Sequence, residues 1–243
     1  MFKPDFDLTS TLVPVLSRNQ IEQIAIEILR DYNSALLEHP QPLDIDRFLE
    51  QYLGATIEYK RLSSSRIYLG MTVFADCSGV PVFNTETHQA ECISCKARPV
   101  LLDTSLLSEN QQHRYSFTGA HEAAHLILHG AYFRKRLETA VNQPKVILCQ
   151  DESRRTGKTC RTDEEWLEWQ ADHLASSLLM PLPAVQLAIA RAKHRSLSVN
   201  YAQEAIMTAF DVSCAAAGNR YSELQQADLL NPFAMPDEED LPF

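Results

Sequence analysis

Apolar residues recur at Ile21, Ile24, Ala25, Ile28 and Leu29, the three-and-four spacing of an amphipathic helix, which predicts one over residues 18–37 closed by the HPQP stretch at 39–42. A shorter helix is expected from Asp44 to Leu53, with Gly54 at its end. The pattern then changes. ATIEYKRL, IYLGMTVFAD, GVPVFNTE and RPVLLDT are rich in β-branched and aromatic residues and separated by polar or glycine-containing turns, as strands are. A small antiparallel sheet is the simplest arrangement. Helical spacing returns at Phe117, Ala120, Ala124, Ile127 and Leu128, for a helix over 116–130 with Ser116 or Thr118 as N-cap. It recurs at Leu167, Ala171, Leu174 and Leu178, for a helix over 164–180, and further helices are expected near 183–194, 199–209 and 213–229, the last capped by Ser213. Residues 130–163 form a long polar connection, basic at SRRTGK, which is either a lid or partner-recognition element or a solvated excursion. The acidic, proline-rich end, residues 231–243, reads as a disordered tail.

Composition narrows this α+β chain further. Its 243 residues, 45% hydrophobic, are enough for one cored domain over residues 1–230. No apolar run approaches a membrane span and the start, MFKPDFDLTSTLV, lacks the basic-then-apolar order of a secretory leader, so a cytoplasmic, membrane-free setting is expected. A net charge of -10 argues against binding a phosphate backbone, which needs clustered Lys and Arg. DVSCAAAGNR has the small-residue look of a helix-turn-helix, but without a basic face it reads as packing. No direct nucleic-acid contact is expected.

The chemistry concentrates in two segments. Residues 121–125 read HEAAH, and on a helix positions i and i+4 share a face, so His121 and His125 can present two imidazoles to one zinc ion. In the later helix Glu168 can supply a third ligand, and Asp172, one turn on, can accept the other ring N–H of a ligating histidine and fix its tautomer. Two histidines and a carboxylate leave the fourth zinc position for water, whose pKa falls towards about 7, and Glu122 is placed to take its proton. The implied reaction is amide hydrolysis. The metzincin pattern is excluded, because Leu128 and Ala131 stand where its glycine and third histidine belong. His129 lies a further turn along and reads as a C-terminal helix residue favoured by the dipole, against a substrate contact; His173 reads as structural.

The blocks FTGAHEAAHLILH (117–129) and EWQADHLASSLLMP (168–181) resemble the two signature blocks of the ImmA/IrrE family of bacterial metallopeptidases. Two positions depart from the family's habit: Ala124 replaces a glycine and Leu174 a phenylalanine, both small changes on packed faces. The resemblance implies a zincin-like domain, with the small sheet beside the HExxH helix and a helical C-terminal region. It also implies one catalytic Zn2+ on His121, His125 and Glu168, with Glu122 as general base and acid. Further, it implies site-specific cleavage of a helix-turn-helix transcriptional repressor. A binding module that keeps the zinc and holds such a repressor without cutting it is the alternative. In zinc peptidases of this architecture an edge strand pairs with the substrate backbone; residues 98–103 are the candidate, unless their own insertion caps them. A second donor to the developing oxyanion is sought among Tyr201, Tyr221, Arg220 and His129.

Six cysteines suit a reducing compartment. Cys92 and Cys95 form one CxxC and, with Cys149 and Cys160, offer a second, structural zinc site; a redox pair or plain thiols are the other options. Cys77 and Cys214 read as packing residues.

Overall fold

The computed structural model describes residues 1–139, 146–150, 162–193 and 200–230. The first predicted helix divides at Ser34 into α1 (Arg18–Asn33) and α2 (Ala35–Glu38). The second begins as α3 (Ile45–Arg47), widens into one π-helical turn over Phe48–Tyr52, and is followed by Gly54 at φ +62°, a backbone position that favours glycine. Strands follow as β1 (Thr56–Lys60), β2 (Tyr68–Val73), β3 (Cys77–Asn84), β4 (Gln89–Cys95) and β5 (Pro99–Asp103). Two short 3-10 turns lead into α4 (Gln112–Leu128), which starts four residues before the expected cap. Neither Ser116 nor Thr118 caps it, because both lie inside the helix.

The connection over 130–163 contains α5 (Gly130–Thr139) and β6 (Val146–Gln150), so it is not structureless. The helix α6 (Asp163–Leu179) opens on a capping box: Thr162 Oγ1 accepts from the Glu165 amide at 3.2 Å, while the Glu165 carboxylate accepts from the Thr162 amide at 2.8 Å. Asp163, Glu164 and Glu165 in its first turn also suit the positive end of the helix dipole. There follow α7 (Leu182–Lys193), α8 (Tyr201–Phe210) and α9 (Cys214–Gln226), and Ser213 caps the last as expected, accepting from the Ala216 amide at 3.1 Å.

Two compact units share the chain in alternating segments. One takes Met1–Phe2, Arg18–Asp44 and the chain from Ser176 onward; the other takes Lys3–Ser17 and Ile45–Ala175. In the first, α2 packs on α7, α7 on α8 and α8 on α9. Its buried polar centre is Arg220, which donates to Glu22 Oε2 at 2.8 Å and, through Nε and Nη2, to the Met180 carbonyl at 3.0 and 2.8 Å; Ser177 Oγ donates to Glu22 Oε1 at 2.9 Å.

In the second unit, a four-stranded sheet has the order β1-β5-β2-β6, and β3 pairs with β4 as a separate hairpin. The sheet is mixed. β1 runs parallel to β5, while the β2–β5 and β2–β6 pairings are antiparallel, as expected for the sheet as a whole. Residues 98–103 were expected at an edge, but β5 lies between β1 and β2, and its residues are all buried. The parallel partner β1 comes from earlier in the chain and covers that side, leaving β1 and β6 outermost. Against this sheet lies α4, touching β2 and β5.

β4 had no counterpart among the expected strands, and it decides the fate of the CxxC. Successive residues of a strand point to opposite faces, so positions three apart diverge. Cys92 is accordingly exposed and Cys95 buried with Val80, Met71 and Leu101, and the two cannot present their thiolates to one ion. Cys160 and the Cys149 side chain lie outside the described residues, as does the expected tail at 231–243. Cys77 packs on the same cluster as Cys95, but Cys214 is exposed, contrary to expectation.

Candidate active site

α4 is buried along almost its whole second half because it is held on one side by β2 and β5 and on another by α3. His121, Glu122 and His125 are therefore carried into the interior by backbone packing, with under 2% exposure each. His121 Nε2 and His125 Nε2 stand 2.9 Å apart, and the Glu168 carboxylate on α6 lies 3.4 Å from each. These are the donor atoms that converge within 4.8 Å of one another; among the described residues no other such group of histidine, cysteine and acidic side chains is found.

Hydrogen-bond logic tests whether a metal fits. The Asp172 carboxylate accepts from His121 Nδ1 at 2.8 Å, so the His121 proton sits on Nδ1 and the Nε2 lone pair faces the cluster. Ligands of a tetrahedral zinc at about 2.0–2.1 Å are separated by about 3.3 Å, close to the spacings seen. Two imidazoles with one carboxylate are also the donor set of catalytic zinc. The residues fit a divalent ion. Burial works to raise the Glu168 carboxyl, but hydrogen bonding and charge from the two imidazoles overcome it and hold the group well below the usual carboxylate range.

Glu122 is fully buried. Its Oε2 accepts from Thr72 Oγ1 at 2.5 Å, and its Oε1 has no hydrogen-bond partner, a buried acceptor left for a proton-bearing group. Burial pushes its carboxyl up, against the downward pull of His125, His121 and Thr72. Thr72 and Gly70 occupy the same face of β2, two residues apart, and sequence reading assigned neither to the site. A Cβ at Gly70 would stand 2.8 Å from Thr118 Cγ2 and 2.9 Å from Glu122 Cγ, and closer still to Glu122 Oε1. An isolated glycine in a strand is the signal that could have found this close approach. Gly70→Ala is therefore expected to displace Glu122 and lower turnover by about 10^2-fold while metal content is retained. Turnover and metal stoichiometry of the purified variant check this, and wild-type turnover would refute it.

His129 is not the residue favoured by the helix dipole that its position near the helix end implied. It is fully buried, with Nδ1 2.9 Å from His125 Nδ1 and Nε2 3.1 Å from Gln170 Oε1. The same i, i+4 spacing that pairs 121 with 125 stacks ring 129 on ring 125, centroids 4.9 Å apart. Burial first, and the neighbouring His125 second, hold it well below the usual imidazole range, hence neutral. With both nitrogens engaged it is no oxyanion donor, and nor is Arg220, committed to Glu22 and Met180. Tyr201 and Tyr221 belong to the other compact unit. His173, read as structural, has its Nδ1 2.8 Å from the Trp169 carbonyl one helical turn back.

A HExxH helix laid on a sheet, a glutamate brought to it by a second helix and a buried glutamate beside the two histidines together have the design of a zincin-type peptidase. The sequence model of the peptidase family described as the IrrE N-terminal-like domain matches residues 83–222, more than half of the chain, and the chain belongs to that family. No curated protein matches it. The matched span holds His121, Glu122, His125, Glu168 and Asp172, whereas Gly70 and Thr72 precede it. Among the described residues no single helix is long and apolar enough to cross a membrane.

Proposed function

We propose that this protein is a zinc-dependent endopeptidase that cuts one protein partner, a helix-turn-helix transcriptional repressor, in the cytoplasm. The carrying observation is the convergence of His121 Nε2, His125 Nε2 and Glu168 beside the buried Glu122. Zinc held there would polarise a peptide carbonyl and supply an activated water. Glu122, with one oxygen fixed by Thr72 and the other unpartnered, takes a proton from the attacking water and returns it to the leaving amine. Asp172 keeps His121 in the tautomer that binds. Family membership supports peptide-bond hydrolysis. The repressor as substrate rests on the likeness of the two signature blocks to the ImmA/IrrE family and on the acidic charge, which favours a protein partner over nucleic acid.

Two measurements test this. Mass spectrometry of the purified protein should find one zinc that is lost in His121→Ala. A repressor encoded beside the gene should be shortened in cells carrying the wild type and stay whole with Glu122→Gln. A repressor that is bound but cut by neither form would favour the non-proteolytic binding module.

A further inference from the structure

We propose that His129 and Gln170, anchored on the Pro14 carbonyl, are positioning residues that fix His125 in the tautomer whose Nε2 lone pair faces the metal site. The inference rests on the zinc reading above, and it concerns residues to which that reading gives no part.

The direction of the chain of hydrogen bonds follows from its far end. A backbone carbonyl can only accept, so the group 2.7 Å from the Pro14 oxygen is the Gln170 amide nitrogen. That leaves Gln170 Oε1 aimed at His129 Nε2, 3.1 Å away, and an amide oxygen likewise only accepts. His129 Nε2 therefore carries the proton. In a neutral imidazole the other nitrogen, Nδ1, is then a lone pair, and it faces His125 Nδ1 at 2.9 Å. His125 Nδ1 must be the donor, and its Nε2 is left as a lone pair 2.9 Å from that of His121. Two lone pairs held face to face repel unless a cation lies between them. The two histidines thus reach one state by separate routes: His121 through the Asp172 carboxylate, His125 through an uncharged relay.

Location explains the difference in chemistry. Asp172 keeps 17% of its side chain exposed, whereas His125, His129 and Gln170 have no more than 1%. A carboxylate behind His125 would carry its charge into a dry place, at a desolvation cost the amide avoids. The anchor, Pro14, lies outside the residues 83–222 that the family model matches. Val13, next to it, is buried with Tyr132 and Leu167, which holds the carbonyl in place.

The test measures zinc affinity of the full chain by competition with a chromophoric chelator, for the wild type, His129→Phe, His129→Asn and Gln170→Leu. Phenylalanine keeps the ring and removes the acceptor, and affinity is expected to fall about 10- to 100-fold. Asparagine puts an oxygen near the position of Nδ1 and should restore most of the loss; Gln170→Leu should give a smaller loss. Nitrogen NMR of the zinc-loaded wild type should show His129 protonated at Nε2 and His125 at Nδ1, and this readout needs no variant to fold. Wild-type affinity in His129→Phe, or a His129 protonated at Nδ1, would overturn the relay while leaving the zinc site standing. A wild type that takes up no zinc at His121 would instead remove the reading on which the relay depends.

Discussion

Glu122→Gln is expected to lower turnover by about 10^2- to 10^4-fold while leaving fold and zinc content unchanged. The amide matches the carboxylate in shape, and its oxygen can still accept from Thr72 Oγ1, so the close packing on Gly70 and Thr118 is conserved. What disappears is the basic oxygen. In the wild type, burial raises the Glu122 carboxyl from its ordinary range, which makes its anion a stronger base for a proton on the attacking water. Single-turnover rates on a cleaved partner, with metal stoichiometry and circular dichroism as controls, check the prediction. Full activity in this variant would sink the assignment of Glu122, and a loss of zinc together with activity would recast it as a structural residue.

The second large effect lies in the other compact unit. Arg220→Leu is expected to destabilise the protein by about 3–5 kcal/mol, because it leaves Glu22 buried without its counter-charge. Four hydrogen bonds make the arginine hard to replace: Glu22 takes two from its guanidinium, and the Met180 carbonyl takes two more. Substituting both members, Glu22→Leu with Arg220→Leu, should recover much of the loss, since the cost comes from the orphaned charge more than from the missing attraction. Thermal unfolding followed by circular dichroism checks this, with a midpoint lowered by on the order of 10 °C in the single variant. A single variant as stable as the wild type would show that water reaches Glu22 and that the pair contributes little.

Of the residues behind these predictions, Glu122 was visible in the chain, whereas the pairing of Glu22 with Arg220 was not, since it joins positions 198 residues apart. His121, Glu122 and His125 were legible because helical spacing fixes their relative placement within five residues, whatever the rest of the fold does. Glu168 and Asp172 were legible through the same rule applied to one later helix and through likeness to a family. Helix periodicity likewise placed α1, α6 and α9 to within a few residues. The strands were harder. β4 was missed because QAECISC has polar positions on one side and cysteines that invite a metal reading, and only pairing with β3 shows them on opposite faces. The order β1-β5-β2-β6 was also beyond reach, since a strand's periodicity says which residues share a face but not which strand lies beside it.

What the sequence by itself determined is the candidate set: two imidazoles one turn apart with a carboxylate beside the first, a second helix with a candidate third ligand and its partner, and a net negative charge. Tertiary structure alone decided what holds that set in one state. Gly70 and Thr72 meet Glu122 across 50 residues or more, and Pro14 reaches Gln170 across 156. Local spacing is enforced by the covalent chain, so it can be read residue by residue. Contacts between distant segments depend on how whole elements pack, and that is settled only when the apolar faces of the sheet and of α4 are buried together.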